Sequence, residues 1–159
     1  MRKTTDPIAQ LMQEHNEALL QLKILNRAAK AFAEEGYSTK EFGRMASALK
    51  FIREEVSVHN HKEEAALFPV LERYVDGPTR AMREDHRQLK AGFRRLSTAV
   101  SRVNANRDSF AAIKNLSSVS RSVVQLFVNH IHKENYILFP LVQRFLSREE
   151  LREIARKMI

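Results

Sequence analysis

The stretch HNHKEEAALFP at residues 59–69 returns as HIHKENYILFP at residues 130–140, identical at seven of eleven positions with an offset of 71 residues. The lone histidines His15 and His86 are separated by the same 71 residues. The chain therefore reads as two related helix hairpins, each carrying one lone histidine and one His-x-x-x-Glu pair. Residues four apart on a helix lie about 40° apart around its axis, so His59 shares a face with Glu63, and His130 with Glu134. Apolar residues at helical spacing turn that face inward: Ile52, Val56, Ala66 and Val70 around the first pair, Val123, Phe127, Ile137 and Leu141 around the second. Leu11, Ala18, Leu19 and Leu22 surround His15 in the same way, and Met82, Leu89 and Phe93 surround His86.

Working outward, the first helix begins at the N-cap Asp6 with Pro7 at its first position and ends near Gly36. Ser38 or Thr39 caps a second helix that runs toward Tyr74, and Asp76-Gly77-Pro78 breaks the chain before a third. The polar stretch 104–108 precedes a fourth, and Ser147 with Glu150 forms a capping box for a short terminal helix. The predicted helices span roughly 6–35, 39–75, 78–104, 108–146 and 148–157 of one domain over residues 1–159. Long helices with short turns predict an all-α, up-down-up-down four-helix bundle with a short C-terminal helix.

Composition agrees. The 159 residues are 43% hydrophobic and 29% charged, with only four glycines and four prolines, which favours a few long helices over many strands. No cysteine is present, which excludes disulfides, thiolate metal sites and thiol chemistry. The net charge of +8 is dispersed among acidic residues, with no basic block or DNA-binding motif, so a solvated surface explains it better than nucleic-acid binding. No apolar run reaches membrane-spanning length, and MRKTTDPIAQ lacks a secretory apolar stretch, so a cytoplasmic protein that does not span a membrane is expected.

Six ionisable groups directed into an apolar core are costly to bury without partners. A metal resolves that cost, and without thiolates it must rest on imidazole and carboxylate, donors that suit first-row divalent ions. Six ligands exceed one tetrahedral zinc and suit two irons bridged by Glu63 and Glu134. The expected ligands of this non-haem di-iron centre are His15, His59, Glu63, His86, His130 and Glu134, with a bridging oxo or hydroxo group between the ions. Zn and Mn fit the same donors, so iron is inferred rather than read. His61 and His132 lie about 200° around the helix from His59 and His130 and are expected at the surface or a helix interface. Glu64, whose counterpart is Asn135, is expected at the surface or behind a ligand.

These residues resemble the hemerythrin-like family, or HHE cation-binding domain, whose pattern is His on helix one, HxxxE on helix two, His on helix three and HxxxE on helix four. His15, His59 with Glu63, His86, and His130 with Glu134 fit it position by position, and the Leu-Phe-Pro after each glutamate is also similar. The resemblance implies that His15 and His59 bind one iron and His86 and His130 the other. The oxygen carriers of that family have an HxxxH pair on helix three and an aspartate as second bridge. This chain has Lys90 where the extra histidine would stand and Glu134 for the aspartate, so reversible O2 carriage does not follow.

The leading expectation is a di-iron protein that binds or senses O2 or a related small oxidant. The same site also suits an enzyme acting on peroxide or nitric oxide or repairing iron centres. A third reading is a regulatory or structural bundle that metal only stabilises. The expected partner is a small diatomic or peroxide ligand; no protein partner can be read from the sequence.

Overall fold

The computed structural model describes residues 6–159. The expectations for the extreme N-terminus therefore fall partly on residues 1–5, outside those described. Helix α1 spans Pro7–Glu35. Asp6 caps it, its Oδ1 accepting from Ile8 N at 3.0 Å and Ala9 N at 3.3 Å. Gly36 stops it at φ 88°, where a side chain is disfavoured, and donates to the Phe32 carbonyl.

Helix α2 begins at Thr39 behind the N-cap Ser38. It runs as Thr39–Lys62, a π-helical turn Glu63–Leu67 and a last α-helical turn Phe68–Leu71. It stops short of the expected residue 75 because residues 72–74 turn back on Leu71, whose carbonyl accepts from Tyr74 N and Val75 N. Helix α3, Pro78–Ala105, starts on proline after Gly77 at φ 109°. Helix α4 follows the Ser109 cap as Phe110–Lys133, a π turn Glu134–Leu138 and Phe139–Phe145. The Ser147–Glu150 capping box is formed in both directions and opens α5, Arg148–Lys157. No strand occurs among the described residues.

The two π turns have a sequence cause. Pro69 and Pro140 lack an N–H, and their rings press on the carbonyls of Ala65 and Tyr136 four residues earlier. Widening the preceding turn relieves that pressure and sends Phe68 N to the Glu63 carbonyl and Phe139 N to the Glu134 carbonyl. One expectation is corrected within the second of these turns. Ile137, expected to face inward, is 57% exposed, and Leu138 is buried instead. The counterpart of Ile137, Ala66, at the same place in the first π turn, is buried in the cluster that includes Ile154 and Met158 of the C-terminal segment, which packs on that turn.

Two apolar clusters form the core. One gathers Leu22, Leu25, Phe32, Met45, Ile52, Leu89, Leu96, Leu116 and Phe127 from all four long helices. The other gathers Ile8, Leu11, Leu67, Phe68, Met82, Leu138 and Phe139, with Ile154 and Met158 from the C-terminal segment. Full burial of each large side chain contributes about 1.5–3 kcal/mol. Between the clusters runs a polar layer of His15, His59, Glu63, His86, His130 and Glu134, all buried. Helix α1 packs closely on α2 and α4, and α3 on α4, whereas α2 and α3 touch little. Among the described residues no helix is long and apolar enough to cross a membrane.

Candidate metal centre

The spacing of each His-x-x-x-Glu pair works locally as expected, with His59 Nε2 2.7 Å from Glu63 Oε1 and His130 Nε2 2.7 Å from Glu134 Oε1. The lone histidines enter from the other helices. His15 Nε2 lies 3.0 Å from Glu134 Oε1, and His86 Nε2 lies 3.7 Å from Glu63 Oε1. All four imidazoles thus direct Nε2 at the two central carboxylates. The six residues fall into two groups, His15, His59, Glu63 and Glu134, and Glu63, His86, His130 and Glu134. Within each group one ligand atom per residue lies within 4.8 Å of the others, and both glutamates belong to both groups.

The layer is poorly satisfied by protein alone. The Nε2 atoms of His59, His86 and His130, both Glu63 oxygens and Glu134 Oε2 are buried and make no hydrogen bond of proper geometry among the described residues, the 2.7 Å approaches of His59 to Glu63 and His130 to Glu134 included. A buried polar atom left unpaired costs about 1–3 kcal/mol, more if charged. So many orphans converging on two carboxylates fit a cation, and the nitrogen and oxygen donors suit iron, manganese or zinc.

An outer ring orients the imidazoles, and it too is duplicated. His59 Nδ1 donates to Glu14 Oε1 at 2.8 Å, while Lys62 Nζ donates to Glu14 Oε2 at 2.8 Å. His130 Nδ1 donates to Asp85 Oδ2 at 3.1 Å, and Lys133 Nζ donates to the same oxygen at 3.1 Å. Each acid directly precedes a lone histidine and reaches across to the histidine of the next helix. His15 Nδ1 meets Asn135 Oδ1 at 3.2 Å, and His86 Nδ1 lies 3.7 Å from Glu64 Oε1. Phe139 stacks on His15 and Phe68 on His86, each at 5.8 Å between ring centres, which gives the Leu-Phe-Pro motif a packing role. With Nδ1 of His15, His59 and His130 engaged by an acceptor, Nε2 is the nitrogen left to ligate in those three, whereas His86 Nδ1 makes no hydrogen bond among the described residues.

Electrostatics follow this arrangement. Burial would raise the Glu14 carboxyl, but the bonds from His59 and Lys62 outweigh it and hold it at about 2. Burial likewise opposes the lowering of Asp85 by His130 and Lys133, and the lowering prevails. Burial pushes His15 and His86 down to about 4 and lowers His130 as well, so these imidazoles are held toward the neutral, ligating form. His59 goes the other way: burial opposes its protonation, but Glu63 and Glu14 together raise it to about 9.

His61 and His132 are exposed, as expected, and take no part in the cluster. Glu14, Asp85, Lys62 and Lys133 were missed by reading ligands alone, although both pairs obey the 71-residue offset. On the His15 and His59 side a space of about 10 Å³, room for about one water, is walled by Ala18, Val56 and Phe127. The family model described as Hemerythrin HHE cation binding domain matches residues 6–142. No curated protein matches the chain.

Proposed function

The chain belongs to the hemerythrin HHE cation binding domain family, and from that premise we propose that it is a non-haem di-iron protein that binds or senses O2 or a related small oxidant. The observation that carries this reading is the pair of overlapping donor groups sharing Glu63 and Glu134. In it, His15 and His59 would hold one ion and His86 and His130 the other, with Glu63 and Glu134 available to both. The up-down-up-down order of the long helices is part of the same reading, supported by the short connections at 36–38, 72–77 and 106–109.

Iron held by these residues would supply electrons and coordination positions for a small ligand. The protein's own contribution is to fix the imidazoles, keep bulk water from the layer and restrict what enters. The water-sized space beside His15 and His59 favours a ligand of a few atoms on that side.

The reading is tested by adding azide, then peroxide, to oxidised, iron-loaded protein and following its charge-transfer absorption. New or shifted bands are expected, whereas indifference to both ligands contradicts the reading. Multiple-turnover consumption of peroxide would move the assignment from sensing to catalysis.

The outer ring carries a separate prediction. Glu14→Ala or Asp85→Ala is expected to weaken iron binding about 10- to 100-fold while leaving the primary ligands in place. Competition against a calibrated chelator measures this, and unchanged affinity in both variants would show that the carboxylates do not tune the site.

A further inference from the structure

Helices α2 and α3 part to leave an open groove of about 780 Å³, a volume typical of small-molecule sites. The internal duplication supplies a comparison within one molecule, because the seam between α4 and α1 is built from the positions 71 residues away. There, Arg53 is matched by Val124, Asn60 by Ile131 and Lys90 by Leu19. Ile131 is buried in the main cluster, and Leu19 and Val124 pack against it. Ser97 is matched by Asn26, which is satisfied by a 3.0 Å bond from Ser120 Oγ. Only Arg94 keeps a cationic counterpart, Lys23. The same scaffold therefore closes one seam with apolar side chains and leaves the other open and polar, so packing alone does not require the groove.

Its lining identifies what it takes. Asn60 Oδ1 and Ser97 Oγ are buried atoms with no hydrogen-bond partner among the described residues. Arg53, Lys90 and Arg94 also face the groove, and among the described residues none has an ion pair with an acidic side chain. Arg87 is already held by Glu84. One acid, Glu64, lines the groove, beside His86. An excess of unpaired cations calls for an anion, and the orphaned amide and hydroxyl oxygens call for a ligand that also carries hydroxyl groups.

We propose that the α2–α3 groove binds a small hydroxylated organic anion, a carboxylate or a phosphate ester, adjacent to His86. The site is distinct from the water-sized space on the His15 side and does not depend on which small oxidant the centre meets.

The test is calorimetric titration of the iron-loaded full chain with glycerol 3-phosphate and with glycerate, which separate the phosphate and carboxylate forms of the ligand. At least one is expected to bind, and the exposed double variant Lys90→Gln with Arg94→Gln is expected to weaken it about tenfold or more. Asn60→Ile, which copies the closed seam, is expected to remove binding while circular dichroism shows unchanged helix content. Failure of both probes to bind overturns the proposal, as does equal binding by all the variants or tighter binding of a DNA oligonucleotide than of either probe. Iron content, measured on the same samples, reports separately on the di-iron reading.

Discussion

Glu63→Ala is expected to lower the iron content of reconstituted protein from about two ions per chain to below one, because it removes a carboxylate that belongs to both donor groups. Glu63 is fully buried, belongs to both donor groups, and lies near Nε2 of His59 and of His86. Its loss leaves Glu134 as the single central carboxylate among four imidazoles. No neighbouring acid can replace it: Glu14 is committed to His59 and Lys62, and Asp85 to His130 and Lys133. Glu64→Ala is the matched control, since Glu64 is part-exposed and lies on the Nδ1 side of His86. Colorimetric iron assay of the three proteins checks the contrast, and a Glu63 variant that still holds two irons would remove the bridging role.

Removing metal should have the second large effect. The polar layer separates two apolar clusters and leaves several buried donors and acceptors unpaired, so the folded state without a cation carries an electrostatic penalty. Saturating metal at about a thousand times Kd stabilises the fold by about 4 kcal/mol. For a chain of this length each kcal/mol moves Tm by about 2–4 °C, so chelation is expected to lower Tm by about 8–16 °C. Scanning calorimetry with and without chelator measures the shift. A change within about 2 °C would mean that the layer is satisfied without metal.

The six central residues were legible in the sequence because duplication wrote them twice at one offset, against a helical background of apolar neighbours. The caps at Asp6, Ser38 and Ser147 were legible for a local reason, each being a short polar side chain ahead of an apolar run. The outer carboxylates were not. Glu14 and Asp85 are ordinary acids within helices, and their roles come from reaching a histidine 45 residues away, which helical spacing does not encode. Their 71-residue offset was the available signal. Ile137 was misplaced because helical spacing does not tell which turn the C-terminal segment covers: its counterpart Ala66 is buried with Ile154 and Met158, and Ile137 is exposed. The open α2–α3 seam depends on how the rods tilt and pack, and only comparison with the α4–α1 seam makes its lining meaningful.

The most direct test of the central claim is elemental analysis of the purified protein together with its ultraviolet-visible spectrum, under air and after anaerobic reduction. The account predicts two irons per chain and bands that change on reduction. Protein that takes up no metal, even after anaerobic reconstitution with ferrous iron, would contradict it and leave the duplicated histidines and glutamates as elements of packing.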